Sequence, residues 1–167
     1  MHLIPKKLHS FQEACALRER LREAGKRVVL TNGCFDLLHV GHVYSLEGAD
    51  KHGDSLWVAL NSDRSIKNLK GTSRPIFTEI NRAYILSVLE CVSGIFIFDG
   101  ERLTDEILLF KPDVYVKSGD YDLEKLDKAE LRALQDVHAE IKFVPFMKGI
   151  STSAIISAIK KSQAQDS

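Results

Sequence analysis

His39 and His42 stand three positions apart, with Gly41 between them, at the end of the run Thr31-Asn32-Gly33-Cys34-Phe35-Asp36-Leu37-Leu38-His39-Val40-Gly41-His42. At a helix start that spacing puts both imidazoles on one face. The same helix start offers free N–H groups and positive potential, which suit a phosphate. Two imidazoles placed there can donate hydrogen bonds to a phosphate whose charge rises during displacement. Gly41 removes a side chain where a ligand would approach, and Gly33 is expected to serve a turn that no larger residue allows. Alone, the two histidines also fit a solvent-facing pair around a structural glycine, or part of a metal site, although no third ligand stands nearby. Gly33, Phe35 and Asp36, in a strand–loop–helix setting, favour phosphate.

A second constellation is Gly149-Ile150-Ser151-Thr152-Ser153, which opens the last helix directly after the last strand. Ser151 suits a helix cap. Three hydroxyls in a row after a glycine exceed what capping needs, so a phosphate tail is the sharper reading. Third come the cations. Lys67, Lys70 and Arg74 fall in a glycine-containing loop, with Arg82 one turn into the helix that follows. At least one of Lys67 and Lys70 is expected to be solvated surface. Fourth, Lys117-Ser118-Gly119-Asp120-Tyr121 closes a strand and can present backbone groups to a base edge. Cys34 has no neighbour that clearly activates it, so a small packing residue is its better reading.

The elements that must position these residues alternate. A capping box at Ser10-Phe11-Gln12-Glu13 opens a helix that Gly25 stops. Short apolar runs then read as strands at 27–31, 56–60, 94–98, 114–117 and 141–144. Helices are expected at 40–52, 78–90, 103–110, 123–137 and 151–161. The strands are near-continuous apolar runs, which implies a parallel sheet covered on both faces. In such sheets ligands sit beyond the carboxyl ends of the strands, where strand order reverses. The loops that matter therefore follow Thr31, Leu60, Phe98, Lys117 and Val144. The expected fold is a single Rossmann-like α/β domain over residues 27–161, with an N-terminal helical arm over 1–26 and a frayed tail over 162–167.

Composition narrows the classes. The 167 residues carry 23 Lys plus Arg and 23 Asp plus Glu, for a formal net charge of zero. A nucleic-acid footprint needs a basic excess, so no nucleic-acid partner is expected. A small anionic substrate needs only two or three local cations. Cys15, Cys34 and Cys91 form no CxxC, so neither a zinc nor a disulfide framework is expected. No apolar run approaches the roughly 20 residues of a membrane helix. Met1 to Ser10 has no signal-like apolar stretch. The expectation is a reduced, cytoplasmic protein with no membrane partner.

Gly33-Cys34-Phe35-Asp36-x-x-His39-x-Gly41-His42 and Ile150-Ser151-Thr152-Ser153 together resemble the paired signatures of the HxGH nucleotidyltransferases, over about Val28 to Ile159. Within that superfamily, Thr31 to Asp36, Asn61-Ser62-Asp63, Arg74-Pro75-Ile76 and Lys117 to Tyr121 are similar to the adenylyltransferase domains of ADP-heptose synthases. The resemblance implies transfer of AMP from ATP to heptose 1-phosphate, giving the ADP-sugar and pyrophosphate. It implies catalytic roles for His39, His42 and Lys70. It implies nucleotide contacts from Asn32, Gly33, Cys34, Phe35, Gly41, Lys67, Lys117, Gly119, Asp120 and Gly149 through Ser153. Asp36, Arg74 and Arg82 would face the acceptor. Mg²⁺ would arrive with ATP, with no metal ligands of the protein's own, and a homodimer is common in the family. The sequence shows no sugar-kinase domain of the bifunctional members, so it is not expected to make its own phosphorylated acceptor. The family usually has two glycines after the lysine, and here Ser118 replaces the first. Phe146-Met147-Lys148 lacks the arginine of glycerol-3-phosphate cytidylyltransferases, which counts against CTP. The alternatives are such a cytidylyltransferase, a relative of the FMN or pantetheine-phosphate adenylyltransferases, and a nucleotide-binding regulator without turnover.

Overall fold

A computed structural model describes residues 5–119, 123–145, 147 and 149–165. In chain order the elements are β1 (Leu8–His9), α1 (Phe11–Glu23), β2 (Val28–Gly33), α2 (Val40–Asp50), β3 (Ser55–Asn61), α3 (Asp63–Lys70) and α4 (Glu79–Ser87). They continue as β4 (Gly94–Phe98), α5 (Thr104–Phe110), β5 (Val114–Ser118), α6 (Lys128–Asp136), β6 (Glu140–Val144) and α7 (Thr152–Gln165). The strands form one sheet in the order β1-β4-β3-β2-β5-β6. Every pairing in it is parallel.

Why the strands read as unbroken apolar runs is visible in β3. Trp57 and Ala59 point into one core, and Leu56, Val58 and Leu60 into the other. The period of two is intact, but both faces are buried, so neither parity is polar. One core also holds Ala14, Ile107, Phe110 and Leu134, from α1, α5 and α6. The opposite core holds Leu46, Ala49, Ala83 and Leu86, from α2 and α4. The chain winds outward from β2 through β3 to β4, then returns to lay β5 on the other side of β2. Strand order therefore reverses between β2 and β5.

Several boundaries differ from the sequence expectation. α1 is no arm: Ala14 is fully buried in the shared core, and Arg18 donates to Asp113 and the Lys111 carbonyl beneath β5. Residues 162–165 continue α7 rather than fray. The helix expected from 123 begins only at Lys128, because the Asp127 side chain accepts from Ala129 N and Glu130 N and caps it there. Two elements lie outside the sequence expectation. β1 is only two residues long. α3 stands where the sequence pattern predicts a loop, and Ser62 caps it by accepting from Ser65 N at 3.0 Å. Ile66 is its only buried apolar residue, and with Leu69 it makes a stripe of just two apolar side chains, too short to stand out in the sequence.

Candidate active site

The reversal between β2 and β5 opens a cleft of ≈ 440 Å³ at the carboxyl ends of the strands, where such sheets bind ligands. Asn32, Gly33, Cys34 and Phe35 after β2, His42 and Ser45 on α2, and Lys117 and Ser118 on β5 all line it. Lys70 reaches it from α3. Lys67 lies one turn earlier on that helix, exposed and outside the lining. Both lysines are thus on a helix, not in the expected loop.

His39 occupies the N-cap position of α2, and its ring stacks on His42 with centroids 3.8 Å apart and planes 22° from parallel. The His39 backbone N–H donates to His42 Nδ1 at 3.4 Å, which leaves Nε2 to carry the proton of the neutral ring. Gly41 makes the stack possible: a Cβ there would lie 3.1 Å from the His39 ring. Burial pushes the His42 imidazole down to about 4, helped by the positive charges of His39 and Lys70 and opposed by a backbone contact with Leu37. Burial also lowers His39. Both rings are therefore neutral donors near neutral pH.

Gly33 does not play the part expected of it, because its φ is not positive. The left-handed residue of this loop is Phe35, at φ 44°. A Cβ on Gly33 would meet Phe35 Cε2 at 2.8 Å, so the glycine makes room for that ring. The ring in turn lies 5.3 Å from the His42 ring. Cys34 sits at the cleft wall with its Sγ 3.8 Å from Asn61 Oδ1.

At the far wall, Lys117 Nζ donates to Asn32 Oδ1 at 3.0 Å, and the Tyr115 hydroxyl donates to the same oxygen at 2.9 Å. Burial lowers the Lys117 ammonium, while Glu130, 3.9 Å away, and Asp127 hold it up. Glu130 also fixes the loop before α5 by accepting from Leu103 N at 3.0 Å. Glu101, Arg102, Lys125, Leu126, Asp127 and Glu130 complete this wall, and sequence reasoning singles out none of them. The loops after Phe98 and Lys117 are the only signal for them. Gly119 follows β5 with φ 127°. Asp120 and Tyr121 lie outside the described residues, as do Phe146 and Lys148.

The other expected cations are placed differently. Asp36 is buried to 1% side-chain exposure and ion-paired with Arg74, itself at 12%. Its carboxylate also accepts from Ile76 N and Phe77 N at 2.7 and 3.0 Å. Arg82 is fully buried and donates to Cys34 O, Phe77 O and Asp63. None of the three lines the cleft. The expectation that Arg82 contacts an acceptor directly is corrected: its guanidinium is spent on the protein's own loop.

The α7 start comes close to the histidines, since the Ile150 carbonyl lies 3.9 Å from where a Cβ on Gly41 would be. Gly149 turns the chain there at φ 87°. Ser151 caps α7, its Oγ accepting from Ala154 N at 3.1 Å. The Thr152 and Ser153 hydroxyls follow in the first turn.

A cytidylyltransferase-like family model matches residues 30–158. A protein of Aliarcobacter butzleri described as "Bifunctional protein HldE" is 44% identical over 156 residues, covering 93% of this chain and 32% of that protein. The protein of the same description from Hyphomonas neptunium is 48% identical over 139 residues, covering 83% of this chain and 28% of that one. The chain spans about a third of the length of these curated relatives. The crystal structure of the lipopolysaccharide core biosynthesis protein from Thermoplasma volcanium superposes with a TM-score of 0.61 at 29% identity, covering 75% of this chain and 100% of that one. A pantoate-beta-alanine ligase from Francisella tularensis shares the fold, with a TM-score of 0.61 at 13% identity.

Proposed function

Since the chain belongs to the cytidylyltransferase-like family, we propose that it catalyses nucleotidyl transfer from ATP to a sugar 1-phosphate, namely heptose 1-phosphate, as the adenylyltransferase counterpart of the bifunctional relatives. A phosphate oxygen of the acceptor attacks the α-phosphorus of ATP. The bond from that phosphorus to the bridging oxygen breaks, and pyrophosphate leaves with the electron pair. No covalent enzyme intermediate is needed, so the protein's work is positioning and charge stabilisation.

The observation that carries the reading is the convergence of the stacked His39–His42 pair, the α2 and α7 N-termini and Lys70 at one end of the sheet. His39 and His42 donate to the α- and β-phosphates as charge moves onto them. Thr152, Ser153 and the first turn of α7 take the β,γ end. Lys70 meets the phosphates from α3. Asn32, Lys117 and the loop through Gly119 take the nucleoside. Magnesium enters as part of the MgATP substrate. Among the described residues, no three His, Cys, Asp or Glu side chains are grouped to hold a metal. No helix among them is long and apolar enough to cross a membrane. We place the enzyme in the cytoplasm, with its nucleotide, and as a homodimer.

The test is pyrophosphate release with ATP or CTP against heptose 1-phosphate and glycerol 3-phosphate. The expected result is that ATP with heptose 1-phosphate exceeds CTP at least tenfold in kcat/KM, about 1.4 kcal/mol of transition-state binding. His42→Ala should cut kcat by about two orders of magnitude. Preference for CTP and glycerol 3-phosphate favours the cytidylyltransferase reading. Binding of ATP without turnover of any pair overturns the enzyme.

A further inference from the structure

Arg82 is the largest fully buried side chain among the described residues, and its contacts converge on the loop that carries the histidines. Nη1 donates to the Cys34 carbonyl at 2.7 Å, Nε to the Phe77 carbonyl at 3.0 Å, and Nη2 to Asp63 at 2.8 Å. A planar guanidinium can serve three acceptors in fixed directions at once, which an ammonium on a flexible stem does not. The Cys34 carbonyl belongs to the peptide that leads into Phe35, the left-handed residue at φ 44°. That conformation is strained for a phenylalanine, so surrounding contacts must hold it. The Phe35 ring then fills the space beside Gly33 and lies 5.3 Å from His42, at 57° to it.

We propose that Arg82 is a positioning residue for nucleotidyl transfer: by gripping the Cys34–Phe35 peptide it seats the Phe35 ring against His42 and thereby fixes that imidazole for the phosphates. Its effect on turnover rests on the reading of the preceding section, but its effect on His42 does not. The α4 helix, which never reaches the cleft, is in this way tied to the catalytic loop. Asp63 at the start of α3 fixes the other end of the guanidinium, so one side chain joins the loop after β2 to the helix that carries Lys70.

The experiment compares the parent with Arg82→Lys, Arg82→Met and the control Arg18→Met. Arg18 is also a buried arginine in an ion pair, but at α1 on the opposite face of the sheet. His42 is titrated by NMR in the ligand-free proteins, and kcat and KM for ATP are measured in parallel. In both Arg82 variants the His42 pKa is expected to rise from about 4 toward the ordinary imidazole value of about 6.5. The kcat is expected to fall about ten- to a hundredfold, more than KM for ATP changes, with Arg82→Lys the milder because it keeps a donor. Arg18→Met should leave the His42 titration in place even where it lowers stability. An unchanged His42 titration in both Arg82 variants overturns the proposal, as does an equal shift in Arg18→Met. Should the Arg82 variants fail to fold, Phe35→Leu tests the ring contact through which Arg82 is proposed to act. His42 must then shift upward, and an unmoved titration overturns the proposal. A parent protein that turns over no nucleotide refutes the proposed function and leaves the His42 result to decide the positioning.

Discussion

Replacing Asp36 by asparagine separates a structural latch from a substrate ligand. The Asp36 carboxylate is buried and engages three partners on the segment after α3: Arg74 Nε, Ile76 N and Phe77 N. Asparagine keeps one oxygen for the two N–H donors but removes the negative charge opposite Arg74. That guanidinium is nearly as buried, and its Nη2 is already without a partner among the described residues. Removing one member of a buried pair costs about 3–5 kcal/mol, and the retained amide oxygen puts the expected loss at the lower end, near 3 kcal/mol. With a urea m-value of about 2 kcal/mol/M, the unfolding midpoint should fall by about 1.5 M. The Tm should fall by about 6–12 °C. The assay is urea denaturation followed by tryptophan fluorescence, Trp57 being buried in the core. A midpoint shift below about 0.5 M refutes the latch. If stability holds while KM for the acceptor rises severalfold, the carboxylate faces the acceptor after all.

Thr152→Val keeps the volume at the α7 start and removes a hydroxyl. ATP affinity by calorimetry should fall about tenfold, the worth of one hydrogen bond to a charged phosphate, with little change for the acceptor; unchanged ATP affinity reduces this helix start to an ordinary cap. His42 sets a pH dependence. Its folded pKa of about 4 lies below the unfolded value of about 6.5, so the unfolded chain binds more protons between them. Stability should therefore fall as pH drops from about 6.5 to about 4, by ~2 kcal/mol once solvent screening of the half-buried ring is allowed for. Urea midpoints across that range, compared with those of His42→Gln, check it, and a parent whose midpoints fall no more steeply than the variant's refutes the burial.

The fold was legible because its strands are buried on both faces. In a chain whose helices alternate with apolar runs, a continuous run such as Leu56 to Leu60 fits a central parallel strand and little else. What escaped reading lacked that signature. α3 rests on a Ser62 cap and one buried isoleucine, so its apolar stripe is too short to stand out. β1 gains its place by pairing beside β4, a non-local contact that two residues cannot announce. The late start of α6 follows from one side chain, because Asp127 can cap only the helix that begins just after it.

The candidate site was legible in its histidines and its closing glycine–hydroxyl run, where residue types are unusual for their place and which the structure brings together. Arg82 was read as facing a ligand because charge read along a chain does not distinguish an arginine facing solvent from one facing carbonyls. Arg82 is spent on Asp63, Cys34 and Phe77, while Arg74 pairs with Asp36 through Nε and keeps Nη2 without a partner among the described residues. The cleft itself is nearly balanced: Lys70, Arg102, Lys117 and Lys125 face Glu101, Asp127 and Glu130. With both imidazoles neutral, the described residues offer little net positive field there. Under the proposed function, the charge of a triphosphate would then be met by helix termini and by N–H donors set at the right distance. Donors of that kind act only where they are held, because a neutral imidazole displaced by an ångström loses most of its effect on a developing charge. A site built this way needs a rigid loop more than it needs further cations, and the two buried arginines supply that rigidity.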